Sequence, residues 1–143
     1  MSATGTTAFD DTIHTTNVWL KEVMQDLHLD DRQDAYRILR ETLHALRDRL
    51  PVNTAVALAA QLPMLVRGFY YEGWRPGAGP SDDRTENEFV DHIAQAFSRT
   101  KQERDPREAA RSVFKLLNEK ISAGEIDNVK SCLPSGIRNM WPN

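Results

Sequence analysis

Apolar residues recur along this chain at steps of three and four. Ile13, Leu20, Val23 and Leu27 form one stripe with Trp19 beside it, which predicts a helix over about 12–27. Asp11 can accept from the free N–H groups at its start. Ala35, Leu39, Leu43, Leu46 and Leu50 follow at steps of four, four, three and four. That spacing predicts a second helix from Arg32 to about Arg49, capped by Asp31, with a single apolar face. Arg32, Arg37, Arg40, Arg47 and Asp48 are expected to cover its remaining surface. Pro51 breaks the pattern. Asn53 then reads as the cap of a short helix, Ala55-Val56-Ala57-Leu58-Ala59-Ala60, whose apolar surround implies burial. Leu62-Pro63 ends that helix and opens the next, because proline at the first helical position gives up no hydrogen bond. Gly73 suits a left-handed residue after the helix, and Trp74 is expected to fold back on Phe69.

Further on, Thr85-Glu86-Asn87-Glu88 is a capping box ahead of Phe89, Ile93, Ala96 and Phe97. Asp105-Pro106-Arg107-Glu108 supplies a cap, a proline at the first helical position and an acid at the third. The stripe behind it is Ala109, Val113, Leu116, Leu117 and Ile121. Ser122-Ala123-Gly124-Glu125 opens a short helix with Ile126 and Val129, and Leu133-Pro134 begins a closing turn that ends at Trp141-Pro142. No strand-like alternation of useful length occurs. The expected fold is all-α.

A phrase is used twice. Gln61-Leu62-Pro63-Met64-Leu65-Val66-Arg67-Gly68-Phe69-Tyr70 returns as Cys132-Leu133-Pro134-Ser135-Gly136-Ile137-Arg138-Asn139-Met140-Trp141, 71 positions later. Asp31-Arg32-Gln33-Asp34-Ala35 resembles Asp105-Pro106-Arg107-Glu108-Ala109 at an offset of 74, which also sets Trp19 and Val23 on Ile93 and Phe97. The second copy is therefore shorter by about one helical turn. The expectation is a duplicated helical bundle of two pseudo-equivalent halves, 11–74 and 84–143, with about four helices each. Two copies are too few for a solenoid array. Arg75-Pro76-Gly77-Ala78-Gly79-Pro80-Ser81 cannot continue a helix, so 75–83 is read as the linker. Residues 1–10, rich in Ser, Thr and Gly, read as a disordered tail.

Composition adds limits. A length of 143 residues suits one domain with a real core. A net charge of −3 disfavours nucleic acid as a partner. No apolar run approaches the ~18 residues of a membrane span, and Met1 to Asp10 lacks the features of a secretory signal. One cysteine excludes an internal disulfide. A cytoplasmic protein is the simplest expectation.

Few residues carry a chemical signal. Arg67 and Arg138 each lie four after a proline and three before an aromatic residue, Tyr70 or Trp141. An i,i+3 pair shares a helix face, so each guanidinium can lie over a ring, bind an anion, or serve packing. Packing is the favoured role, because both halves repeat it. Tyr70, Tyr71 and Trp74 crowd beside the linker with Arg67, a combination common at protein interfaces; Tyr71 is expected to be partly exposed. Glu88/His92 and His44/Asp48 are i,i+4 pairs, each short of a metal site. Cys132 reads as a small buried residue without an assignable base. Acids from Asp82 to Asp91 fit a helix start, and the basic residues Arg99 to Arg111 read as a solvated face. No catalytic residue, cofactor or metal is implied by any motif.

The phrase Arg49-Leu50-Pro51-Val52-x-x-Ala55-Val56-x-Leu58-x-Ala60-Gln61-Leu62-Pro63-Met64-Leu65-Val66-Arg67-Gly68-x-Tyr70-Tyr71-x-Gly73-Trp74 resembles a prokaryotic family known only as domain of unknown function 2267. The capped Asp31–Ala35 segment and the terminal Leu133-Pro134-x-x-Ile137-Arg138-x-x-Trp141-Pro142 extend the resemblance over most of the chain. The resemblance implies a small all-helical protein and carries no activity, cofactor or catalytic residue. Two functions are expected from these readings. The first is a non-catalytic interaction or self-association module using Arg67, Tyr70, Tyr71 and Trp74. The alternative is a small-ligand binder or enzyme with Arg67 and Arg138 meeting an anion in a cleft between the halves.

Overall fold

The computed structural model describes residues 3–142. Their elements are eight α-helices and one 3-10 turn, with no strand among the described residues. The helices are α1 (Thr7–Leu27), α2 (Arg32–Arg49), α3 (Val52–Ala59), α4 (Met64–Tyr71), α5 (Glu86–Thr100), α6 (Pro106–Lys120), α7 (Ala123–Ser131) and α8 (Ser135–Arg138).

Local chemistry sets most boundaries. Asp31, Thr85, Asp105 and Ser122 each accept a backbone N–H from the first turn of the helix they precede, which satisfies an otherwise orphaned donor. Thr85 and Glu88 form the full reciprocal box. Three boundaries differ from expectation. Helix α1 starts at Thr7, so residues 7–10 are helical; the Asp10 carboxylate accepts from Thr4 N at 3.1 Å and Thr4 Oγ1 at 2.8 Å. Asn53 lies inside α3 and does not cap it; Pro51 does, extended, with its carbonyl accepting from Ala55 N at 2.9 Å. Likewise Pro63 is the extended residue ahead of α4 rather than its first helical residue. In both, the ring fixes φ while the carbonyl closes the first turn. Helices α1 and α5 end on left-handed residues, His28 (φ 55) and Lys101 (φ 59).

Helix α2 is the hub. It packs against α1, α4, α5 and α6, while α1 also meets α4 and α6, α3 meets α7, α5 meets α8 and α6 meets α7. Ile38, Leu39, Leu43 and Leu46 of α2 are fully buried among Phe89, Ile93, Val113, Phe114 and Leu117. Each such side chain contributes roughly 1.5–3 kcal/mol. Phe114 stacks on Trp141 with centroids 4.3 Å apart, so the chain's end closes the core. Helix α3 is buried on one side only, through Ala55, Leu58 and Ala59. Val52 and Val56 face outward, contrary to the expectation of burial all round. Trp74 stacks on Tyr71 rather than Phe69, at 5.5 Å, and Phe69 meets Tyr36 edge-on. Gly73 takes the positive φ of 71° expected of it.

Candidate functional site

Arg67 and Arg138 have the same local job. Arg67 donates through Nε to Ala59 O at 2.8 Å and through Nη2 to Leu62 O at 2.8 Å. Arg138 donates through Nε to Lys130 O at 3.1 Å and through Nη2 to Leu133 O at 2.8 Å. Each guanidinium therefore answers carbonyls that the preceding short helix leaves open at its C-terminus. These backbone bonds take the place of the ring contacts expected with Tyr70 and Trp141.

The aromatic group divides by burial. Tyr70 is fully buried and donates its hydroxyl to Ala55 O at 2.8 Å; burial holds its phenol far above the usual range. Tyr71 and Trp74 are half-buried. Of the aromatic residues proposed for a partner, these two reach the surface.

Arg47 has a role its place in the sequence did not suggest. It is 3 % exposed, although the pattern assigned it to the solvent face. Its Nη1 donates to Tyr70 O at 2.6 Å and Glu72 O at 2.9 Å, and its Nε to Asp48 Oδ1 at 2.9 Å. Around it lies a cavity of about 190 Å³ between α2, the end of α4 and α5, which Arg40, His44, Asp48, His92 and Arg99 also line. Arg40 pairs with Glu41 at 2.8 Å and Glu72 at 3.6 Å.

His44 Nε2 lies 2.6 Å from Phe69 O and donates to it. Burial lowers the His44 pKa below its ordinary 6.5; the Phe69 carbonyl opposes this, and Arg47 and Arg40 add to it. The unfolded chain thus takes up this proton before the folded one does. Stability from this residue is intact above about pH 6.5 and falls as pH drops through the folded value. Melting temperatures recorded between pH 7.5 and pH 5 should fall, and His44→Gln, which keeps a donor for Phe69 O, should fall less. Equal losses would place the pH dependence elsewhere.

The linker is strapped to this cavity. Ser81 N donates to Asp48 O at 2.6 Å, Arg49 Nε donates to Asp83 O, and His92 Nδ1 sits 3.1 Å from Asp83 Oδ2. A second cavity of about 320 Å³, bounded by Trp74, Arg75 and residues 78–81, shares Asp48, Gly73 and His92 with the first.

The other sequence candidates lie apart. Arg107 and Arg111 both pair with Glu86, and Arg104 donates to His28 O, so much of the basic stretch is tied within the fold. Cys132 is half-buried with its Sγ 3.4 Å from Thr54 Oγ1. Among the described residues no three His, Cys, Asp or Glu side chains group as metal ligands, and no helix is long and apolar enough to cross a membrane.

Large apolar side chains are also exposed, at Phe9, Ile13, Val18, Val52, Val56, Met64 and Leu65. Leu65 N donates to Thr12 Oγ1 at 2.9 Å, joining the start of α4 to α1. A groove of about 680 Å³ beside this contact is lined by Thr12, Val18, Trp19, Leu62, Pro63 and Met64. A family model described as "Uncharacterized conserved protein (DUF2267)" matches residues 16–140. No curated protein matches the chain.

Proposed function

We propose that this chain, which belongs to the uncharacterized conserved family DUF2267, is a non-catalytic cytoplasmic module that associates with a second copy of itself through α1 and α4. One observation carries this reading: all seven exposed large hydrophobic residues precede the linker.

The reading takes the two halves as pseudo-equivalent. Its support is the matched bonding of Arg67 and Arg138, the paired caps Asp31 and Asp105, and the left-handed ends His28 and Lys101. The last pair are 73 positions apart, one fewer than the sequence offset, because the loop before Asp105 is a residue longer than the loop before Asp31. In that register Phe9, Ile13 and Val18 correspond to Asp82, Glu86 and Asp91. At the 71 offset Val52, Val56, Met64 and Leu65 correspond to Ala123, Asp127, Ser135 and Gly136. Every counterpart is polar or small. The second half is thus an internal control, since the same kind of unit needs no apolar residue there. Exposed apolar groups gathered into one patch mark a contact surface, and Val18 and Met64 share one groove between α1 and α4.

Charge favours a second copy as the occupant. From Pro51 to Tyr71 the only charged side chain is Arg67, and its guanidinium is engaged with carbonyls. A two-fold contact brings like residues together, so the α4 side of the face meets no self-repulsion, while Asp11 on the α1 side lies in a groove that Lys120 also lines. Asp10 and Asp11 beside Phe9 oppose docking on an anionic membrane.

Light scattering on the purified chain should give the mass of a dimer. Ile13 and Leu65 are exposed, so an Ile13→Glu/Leu65→Glu variant should keep its helicity and melt close to wild type yet scatter as a monomer. A monomeric wild type, or a variant that still dimerises, sinks the proposal.

A further inference from the structure

The two adjoining cavities at the C-terminal end of α2 are not used by that association. The first is lined by Arg40, Arg47 and Arg99 together with Glu41, Asp48 and Glu72; the second ends at Trp74. Their carboxylates are engaged: Glu41 and Glu72 with Arg40, and Asp48 with Arg47. Arg99 makes no hydrogen bond or ion pair among the described residues, and neither does Nη2 of the buried Arg47. The lining charges balance, three guanidiniums against three carboxylates, but two of the carboxylates are drawn to Arg40, so the donors left open at this end are Arg99 and Nη2 of Arg47. At the other, Tyr71 covers one face of the half-buried Trp74 ring, which lines the cavity. Asp48, Gly73 and His92 border both spaces.

We infer that this cleft binds a small ligand with anionic oxygens at one end and a planar ring at the other, of the mononucleotide class. Guanidinium groups match phosphate oxygens with paired N–H donors. An indole face stacks on any base. Asp48, at the junction, keeps Oδ2 as an acceptor for ligand hydroxyls, since its Oδ1 already receives Arg47. The first cavity alone is small for a ligand site, and the pair reaches the usual range of roughly 300–1,000 Å³. Free phosphate would leave the Trp74 end empty, and a nucleoside would leave Arg99 without an acceptor.

Calorimetry and tryptophan fluorescence test this with AMP, GMP, CMP, UMP, adenosine and inorganic phosphate as probes. Trp19 and Trp141 are buried, so quenching by a nucleotide reports Trp74. AMP should bind at least about tenfold more tightly than adenosine or phosphate. Arg99→Gln, at an exposed position, should weaken AMP by about tenfold and leave adenosine unchanged. Trp74→Leu, followed by calorimetry, should weaken AMP and adenosine and leave phosphate unchanged. The inference is overturned if none of the four nucleotides binds, if phosphate alone binds as tightly as AMP, or if Arg99→Gln binds AMP like the wild type. Should Trp74→Leu fail to fold, the Arg99→Gln comparison still decides.

Discussion

Arg47→Met is expected to lower stability by about 3 kcal/mol, which for a domain of this size is a fall of roughly 10 °C in Tm. Met retains much of the buried stem and loses the guanidinium. Tyr70 O and Glu72 O then lose their donor at the end of α4, and a hydrogen bond to a charged group contributes about 1.5–3 kcal/mol. Loss of the Asp48 pair adds little, since that carboxylate is partly in solvent. Arg47→Lys should fall between the two, because an ammonium is a point donor and cannot span both carbonyls. Urea unfolding followed by circular dichroism checks the order. If Arg47→Met unfolds within about 0.5 kcal/mol of wild type, the carbonyls have another donor and Arg47 is not what anchors α4 to α2. The same substitution should loosen Tyr71 and Trp74, which follow directly on the bonded carbonyls, and raise the mobility of the Trp74 fluorescence.

Gly136→Leu is expected to cost about 2–3 kcal/mol. The change makes the second copy of the repeated phrase match the first, where Leu65 stands. A Cβ at position 136 would lie 3.1 Å from Arg84 O, 3.2 Å from Glu86 N and 3.2 Å from Thr85 Cα. All three are backbone atoms at the start of α5, at or just before its capping box, and cannot swing aside as a long side chain does. Gly136→Ala should therefore already destabilise, and Gly136→Leu should do so more. Leu65, by contrast, is 45 % exposed beside Thr12, so Leu65→Gly should cost only the ~1 kcal/mol of a glycine in a helix. Chemical denaturation of the three variants measures the series. A Gly136→Leu protein as stable as wild type would mean that α8 can move off α5 at no cost.

The contrast between Leu65 and Gly136 shows where reading from the sequence stops. Both stand at one position of the same phrase, and the phrase gave no reason for the difference. The reason is the distance between α8 and the start of α5, which no local pattern encodes. Arg67 and Arg138 are a similar case. The sequence marked both as paired and favoured packing for them, but their acceptors are carbonyls five to eight residues back that come within reach only once α3 and α7 end. Tyr70 and Tyr71 are neighbours with opposite fates, because α4 turns one toward Ala55 and leaves the other at the rim.

What the sequence determined by itself is local. Its apolar spacing marked the helices, Asp31, Thr85, Asp105 and Ser122 marked starts, Gly73 marked a stop, and the Leu50-to-Trp74 phrase identified the family. Each depends on groups within about four residues of one another, and the chain carries that information before it folds. The tertiary structure alone decided which polar residues were withdrawn from water and which apolar ones were left in it. Arg47 lies on the flank of α2 that α4 covers, so its charge became a buried anchor. Phe9, Ile13 and Leu65 lie where no later helix arrives. The cleft exists because α2, the end of α4, the linker and α5 converge, drawing together residues from Arg40 to Arg99. Periodicity assigns a side chain to a face of its helix, and only the packing of distant helices determines whether that face meets protein or solvent.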